Sequence, residues 1–303
     1  MEKRHVVKTA VGFLVASLVL LSYQNCGNQV AFNTSGNNSS GTIAGGGGPT
    51  VCDPFGGNSG AQINNGLIGT LHYLTSSQLS VKANGSAFPT GQFSNFSQVY
   101  NGALGIFNGS VILSSVNVPT RNFTQGFVAS SGTPLQNSDG SVLQQYFAME
   151  FQSELVLGNL APGNYQLATI SDDGSILTLS GAIANSNGTN SDYVLNADGT
   201  HSSLMTCSAT PLNLTAQSQI PLDLKYFQGP PVSIAMMILY RPAPADGSLD
   251  PQCNQVGDQY FFNTSTTPST PQQPYLDIQS RGWAPLPATN YVLPNQQTNP
   301  CTQ

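Results

Sequence analysis

Alternation of apolar and polar residues is the main structural signal in this 303-residue chain beyond its first fifty residues. In IPLDLKYF, residues 220–227, four apolar side chains share one face, whereas Asp223 and Lys225 occupy the other. This pattern predicts a strand with one face against a core and one face in water. In VSIAMMILYR, residues 232–241, both faces are apolar, which predicts a strand that is buried on both sides.

Other apolar runs of strand length are separated by clusters of Gly, Asn, Ser and Pro. They lie at residues 67–74, 104–107, 111–117, 145–157, 164–171 and 175–180. Helical periodicity is absent after the N-terminal segment. Many short strands with turn signals between them predict an all-β fold, and specifically an antiparallel β-sandwich.

The chain after Arg241 is rich in proline, which cannot donate to a sheet ladder and therefore disfavours central strands. We expect residues 243–303 to form an extended tail that wraps the sandwich. Trp283, the single tryptophan, is expected to pack on the domain as a plug rather than to stack on a ligand. The loop ADGSLD contains Asp246 and Asp250 but lacks the closing glutamate of an EF-hand, so it predicts a solvated turn.

The first fifty residues predict export rather than a fold. Lys3, Arg4 and Lys8 precede a nearly unbroken apolar run at residues 11–21, which is short for a spanning helix and typical of a signal peptide. Cys26 follows closely, and the arrangement resembles a bacterial lipoprotein signal, in which the cysteine is lipidated. The alternative is a secretory signal that is cut elsewhere and leaves Cys26 as an ordinary thiol.

The lipoprotein resemblance implies a domain order. Residues 1–25 would be the signal peptide, and Cys26 would anchor the protein in a membrane. The absence of aspartate directly after Cys26 implies sorting to the outer membrane and the cell surface. Residues 26–51 are rich in Gly, Ser and Asn and predict a flexible tether. The sandwich would then occupy residues 52–242, and the tail residues 243–303.

The cysteines and the charge narrow the possible functions. Only 7% of the residues are charged and the formal net charge is −6, so the chain lacks the basic footprint that nucleic acid requires. Four cysteines lie beyond Cys26 in an exported chain, which favours two disulfides, with three possible pairings. From their positions we expect Cys207–Cys253 and Cys52–Cys301.

The stretch ISDDGSI, residues 170–176, places two carboxylates side by side. One interpretation is a hairpin turn at Asp173 and Gly174, in which the glycine supplies a positive φ. The other is that Asp172 and Asp173 hold a cation. A turn needs only the Asp-Gly step and leaves Asp172 unexplained, although the residues by themselves favour the turn.

Four stretches resemble, in order, the anthrax protective-antigen domain family (the PA-fourteen domain), which includes flocculins and epithelial adhesins. They are GLIGTLHYL, VNVPTRNFTQGF, GNYQLATISDDGSILTLSG and IPLDLKYFQGPPVSIAMMILYRP. Together they cover about residues 64–242. The resemblance implies the same β-sandwich that the alternation predicts.

In the adhesin and flocculin branch, two consecutive aspartates joined by a cis peptide bind calcium, and the calcium binds sugar hydroxyls. The resemblance matches these aspartates to Asp172 and Asp173. A later loop supplies further oxygens in that branch, and LNADGTH here offers Asn196 and Asp198. The resemblance therefore implies a calcium-dependent carbohydrate-binding module whose partner is a glycan or a cell-surface polysaccharide.

Motifs of enzyme active sites are missing from the sequence. It has no G-x-S-x-G, no H-E-x-x-H and no P-loop. Glu150 and Glu154 lie four residues apart on one strand, about 13 Å from each other, which is wider than either glycosidase geometry. We therefore expect a non-enzymatic protein. The alternatives to a lectin-like module are a structural or assembly component of the cell envelope without a metal or sugar site, and an accessory domain of a hydrolase.

Overall fold

The computed structural model describes residues 51–52, 66–83, 93–107, 110–128, 134–136, 140–186 and 188–294. The predictions for the signal peptide, Cys26, most of the tether and Cys301 lie outside these residues. The strands are β1 (Val51–Cys52), β2 (Leu67–Tyr73), β3 (Gly105–Ile106), β4 (Val111–Leu113), β5 (Asn117–Asn122), β6 (Phe147–Val156), β7 (Gly163–Asp172), β8 (Ser175–Ala184), β9 (Asn190–Ala197), β10 (Leu204–Cys207), β11 (Leu212–Leu214), β12 (Gln219–Gln228), β13 (Ser233–Pro242), β14 (Phe262–Asn263), β15 (Thr270–Pro271), β16 (Ala284–Pro285) and β17 (Tyr291–Val292). The helices are α1 (Ser76–Ala83), α2 (Phe96–Gly102) and α3 (Gln273–Ser280), with 3₁₀ turns at Phe123–Gln125 and Ala288–Asn290.

Two large sheets form the body of the fold. The first sheet has the order β1-β4-β2-β6-β12-β8-β9, with β3 added to β2 and β17 added to β6. The second has the order β10-β7-β13-β16, with β11 added to β7 and β5 added to β13. The pairings are antiparallel except for the parallel β1–β4 pair. The structure thus confirms the predicted all-β antiparallel sandwich.

The main hydrophobic core lies between the two sheets. Phe151 and Leu224 from the first sheet meet Leu167, Met236 and Ile238 from the second, and all five are buried. The strand β12 alternates as predicted, with Leu222, Leu224 and Tyr226 in this core and the charged residues between them at the surface. Burial of these apolar side chains supplies about 25 cal/mol for each Å² removed from water.

The outer face of the second sheet is covered by residues from the tail, which explains why β13 is apolar on both faces. Met237 and Leu239 point away from the inter-sheet core into a second apolar cluster. The tail contributes Phe261, Tyr275, Ile278 and Trp283, among others, to this cluster. Trp283 is 2% exposed, so its predicted role as a packed plug is confirmed.

The three short helices contradict the expectation that helices are absent after the N-terminal segment. In α2, the Asn95 side chain accepts a hydrogen bond from Gln98 N, which caps the helix. Phe96 and Val99 are buried against the outer face of the first sheet, where they join Phe227 in a third cluster. Helices of seven or eight residues span about two turns, too few to show a helical period in the sequence.

The tail is tied to the sandwich at several points. The predicted Cys207–Cys253 disulfide is present and joins β10 to the tail. The short strands β16 and β17 pair with β13 and β6, one in each sheet. Cys52 lies in β1 beside β4, but its predicted partner Cys301 is outside the described residues. In the described part of the chain, no helix has the length and apolar character needed to span a bilayer.

Candidate functional site

Residues 172–174, here called the corner, connect two strands that belong to different sheets. The strand β7 ends at Asp172 in the second sheet, and β8 begins at Ser175 in the first. The prediction of a β-hairpin turn is therefore wrong, because the flanking strands do not pair with each other. The chain crosses from one layer of the sandwich to the other at this point.

Gly174 is required at the corner for space and not for a left-handed backbone. Its φ does not lie in the positive region, contrary to the hairpin prediction. A Cβ atom at this position would overlap the Phe227 ring and lie 2.7 Å from Gly199 N. The corner is thus packed tightly against the loop that follows β9.

Asp172 and Asp173, here called the aspartate pair, are joined by a cis peptide bond, in agreement with the family resemblance. Each residue is only 3% exposed. The backbone carbonyl of Asp172 accepts a 2.7 Å hydrogen bond from the Tyr226 hydroxyl. The side-chain Oδ2 of Asp172 accepts a 3.3 Å hydrogen bond from Ser203 Oγ. Both carboxylates are therefore held inside the protein and not at its surface.

Asp173 accepts hydrogen bonds from several donors. Its Oδ1 accepts from His201 N at 3.1 Å, and its Oδ2 accepts from Gly229 N at 2.7 Å and Gln228 Nε2 at 3.4 Å. A side chain on Gly229 would bring its Cβ to 3.1 Å from Asp173 Oδ2, so glycine suits this close approach. The donors are neutral N–H groups from the loop after β9, from the last residue of β12 and from the turn that follows it. They fix the carboxylate without neutralising it.

Within the described residues, no lysine or arginine forms an ion pair with the aspartate pair, although the charge of His201 acts on Asp173. Burial, together with the negative charges of Asp173 and Asp258, raises the pKa of Asp172 to about 9. Burial also raises the pKa of Asp173 to about 6, although the Gly229 and His201 N–H groups oppose the rise. Two buried carboxylates next to each other therefore resist ionisation.

The raised pKa values have a direct consequence for stability. Above the ordinary aspartate pKa of about 4, the folded protein binds more protons at the aspartate pair than the unfolded chain does. Stability therefore falls as the pH rises from about 4 through these raised pKa values. A bound cation would oppose this loss because it stabilises the ionised form.

The aspartate pair fits a calcium ion by its charge and by its donor type. Calcium binds six to eight oxygens in irregular geometry, and these include carboxylates, carbonyls and amide side chains. Asp172 and Asp173 would hold the ion through their carboxylates. Within the described residues, no group of three or more His, Cys, Asp or Glu side chains is arranged to hold a metal. Neutral oxygens would have to supply the remaining ligands.

Asn196 and Asp198 are placed near the corner but bonded elsewhere. The Oδ1 of Asn196 accepts a hydrogen bond from Asp198 N at 2.9 Å, and Asp198 Oδ1 accepts from Phe96 N at 2.8 Å. Both are exposed, and in the described chain no hydrogen bond joins either side chain to the aspartate pair. Their role as calcium ligands remains a prediction. The loop reaches the pair instead through the backbone N–H of His201.

Several residues that contact the aspartate pair were not predicted from the sequence. Gln228 and Gly229 belong to the QGPP turn, where glycine and proline mark a loop but do not reveal its target. Ser203 comes from the segment before β10, which no apolar alternation marks. The ADGT turn before His201 was a usable signal for a loop, but its proximity to the corner depends on the pairing of β8 with β9.

No family model and no curated protein matches the chain. Among solved structures, the PA14 sugar-binding domain from an RTX adhesin is similar at 18% identity and a TM-score of 0.33, covering 64% of this chain and 94% of that one. The PA14 domain of the MpAFP antifreeze protein has 15% identity and a TM-score of 0.36, with 61% and 84% covered. The Epithelial Adhesin 9 A domain from Candida glabrata, in complex with Galβ1-3GlcNAc, has 15% identity and a TM-score of 0.32, with 69% and 92% covered.

Proposed function

We propose that this protein is a lipid-anchored cell-surface module that binds carbohydrate through a calcium ion held by Asp172 and Asp173. The observation that carries the proposal is a pair of adjacent carboxylates, each 3% exposed, with no lysine or arginine of the described chain paired to it. Burying two like charges is unfavourable unless a positive charge compensates them. Calcium supplies that charge and accepts the oxygen ligands present.

Carbohydrate as the partner rests on the resemblance of the sequence around the corner to the adhesin and flocculin branch. In such a site the calcium ion would retain open coordination positions for sugar hydroxyls. These hydroxyls would complete the six to eight oxygens that the ion requires. Asn196 lies near the end of β9 and Asp198 in the loop that follows, and we propose both as a source of further ligands or of contacts with the sugar.

A structural role without metal is the second candidate, and one observation favours it. Asp173 already accepts hydrogen bonds from His201 N, Gly229 N and Gln228 Nε2. A carboxylate that joins two loops in this way can serve the fold by itself. The protein would then be a non-catalytic component of the cell envelope, and the response to calcium separates the two candidates.

The double substitution Asp172→Asn and Asp173→Asn is expected to abolish stabilisation by calcium. At about 100-fold excess over the dissociation constant, calcium should stabilise the wild type by roughly 2.7 kcal/mol and the variant not at all. The variant should still fold, because asparagine tolerates turn conformations and carries no charge that burial would oppose. Thermal unfolding of the full chain in detergent, with CaCl₂ or with chelator, measures both effects.

Asp246→Asn is the matched control, because this exposed carboxylate accepts a hydrogen bond from Ser248 N and is not among the groups that contact the aspartate pair. It should keep the full calcium response. The same three proteins are then screened on a glycan array with calcium and with chelator. If millimolar calcium does not change the melting temperature of the wild type, the structural role is the better explanation of the aspartate pair.

Cys26→Ser should release the protein from membranes, because the proposed lipid is attached at this thiol. Wild type should partition into the detergent phase and the variant into the aqueous phase, which fractionation of expressing cells measures. Mass spectrometry of the wild-type N-terminus provides an independent readout. A free, unacylated N-terminus would contradict lipid anchoring and would favour an ordinary secretory signal.

A further inference from the structure

Residues 253–258 of the tail lie along β10 and are fixed to it by covalent and hydrogen bonds. The Cys207–Cys253 disulfide closes one end of this contact, and an isolated bridge pairs Leu204 with Val256. The backbone bonds run from Met205 N to Gln255 O (3.2 Å), from Asn254 N to Met205 O (2.7 Å) and from Gly257 N to Ser203 O (2.9 Å). The position of this segment relative to β10 is therefore set at every second residue.

This register brings Asp258 to the aspartate pair. Ser203 joins the two, because its backbone oxygen accepts from Gly257 N while its hydroxyl donates to Asp172 Oδ2. Asp258 follows Gly257 directly, and its charge and a hydrogen bond from Asp172 help to raise the pKa of Asp172. Its negative charge also acts on Asp173. The tail thus adds a third carboxylate to a site that otherwise belongs to the sandwich.

The groups that face the aspartate pair come from five segments. They are Ser203 before β10, Tyr226 and Gln228 on β12, Gly229 in the following turn, His201 in the loop after β9, and Asp258 in the tail. Asp258 is the carboxylate among them. In a cation-free protein at neutral pH, Asp172 is protonated because its pKa is about 9, and Asp258 favours this neutral form by its charge and by a hydrogen bond. With a divalent cation at the pair, the same charge becomes attractive.

We propose that Asp258 is a positioning residue that raises the cation affinity of the site by its charge, so that the tail is part of the binding site. The proposal rests on the proposed function, since it concerns the same ion. Asp258 does not act as a third direct ligand, because the described carboxylates include no group of three with metal-binding geometry. It acts through the field it creates at the aspartate pair and through its contact with Asp172.

Asp258→Asn is expected to weaken calcium binding about tenfold, because a charge next to a buried divalent ion is poorly screened. Isothermal titration of the full chain in detergent with CaCl₂ measures the dissociation constant. With chelator present at pH 7, the variant should melt close to the wild-type temperature, because the asparagine Oδ1 can still accept a hydrogen bond from protonated Asp172. Asp258→Glu, which restores the charge, should recover most of the affinity, and Asp246→Asn should match wild type in both measurements.

The outcomes separate the two proposals. A wild type that gives no heat or thermal shift with calcium overturns the proposed function and this inference together. A wild type that binds calcium, with an unchanged dissociation constant in Asp258→Asn, overturns only the role of Asp258. A variant that melts lower than wild type in chelator and is not rescued by glutamate shows a merely structural role for Asp258, which also overturns the inference.

Discussion

Asp250→Asn is expected to destabilise the protein by about 3–5 kcal/mol, the range found when one partner of a buried ion pair is removed. The Asp250 side chain is fully buried, and Arg281 binds it in a bidentate manner, with Nε–Oδ2 and Nη2–Oδ1 distances of 2.7 Å. Arg241 Nη1 lies 3.3 Å from Oδ2, and Trp283 Nε1 donates to the same oxygen at 3.0 Å. The Asp250 carboxylate therefore accepts hydrogen bonds from two arginines and from the only tryptophan of the sequence.

The expected loss of stability is large because Asp250→Asn leaves the buried Arg241 guanidinium without a counter-charge. The Arg241 side chain is 7% exposed, and its guanidinium lies 4.9 Å from the centre of the Trp283 ring. Asparagine would leave this cation buried without its counter-charge. Burial by itself would raise the pKa of Asp250. Hydrogen bonds from Arg281, Gln252 N and Trp283 lower it by more, so the pKa lies below its usual value. The stabilisation is thus present above about pH 4 and is lost as the pH falls through that lowered pKa.

Urea unfolding of the full chain at pH 7 measures the change in the free energy of unfolding. Asp246→Asn is the matched control from the same loop and should unfold at about the same urea concentration as wild type, because its carboxylate is exposed and water screens its attraction to Arg241. Adding Arg241→Met to Asp250→Asn should recover part of the loss, since it removes the uncompensated cation. An Asp250→Asn midpoint equal to that of wild type would contradict the assignment of Asp250 as the centre of this network.

Burial could be predicted from the sequence where it depends on the local pattern of side chains. Alternation in residues 220–227 predicted which side chains of β12 face the core, and the doubly apolar run in residues 232–241 predicted that β13 is covered on both sides. The pattern does not show which part of the chain covers each face. The second cover of β13 is the tail, and proline-rich segments show no period from which packing could be predicted.

The two errors at polar positions have one physical cause. At the corner, the Asp-Gly step indicated a hairpin, but the partner of each flanking strand is set by contacts distant in sequence, so β7 and β8 join different sheets. The loop with Asp246 and Asp250 was predicted to be solvated, which holds for Asp246 and is wrong for Asp250. A buried charge is recognised by its partners, and the partners of Asp250 come from β13 and from the tail after α3.

The residues of the candidate site, too, could be predicted from the sequence only in part. Asp172 and Asp173 were found because adjacent carboxylates are conspicuous in a chain with 7% charged residues. Asp258 was missed, since nothing in its sequence neighbourhood indicates that it meets Asp172. Its position follows from the register between β10 and the tail, which the Cys207–Cys253 disulfide helps to fix. Cysteine positions suggested that disulfide, but not the carboxylate contact beside it.

Replacing Cys207 and Cys253 together by serine is expected to lower the free energy of unfolding by about 4 kcal/mol, because the bond closes a loop with a sequence separation of 46 residues. Urea unfolding measures the loss, and reduced wild type should unfold at the same midpoint as the double variant. Because the bond holds residues 253–258 against β10, the variant should also bind calcium more weakly, as Asp258→Asn does. Unchanged unfolding would show that the tail hydrogen bonds and the Asp250 network hold the segment without the disulfide.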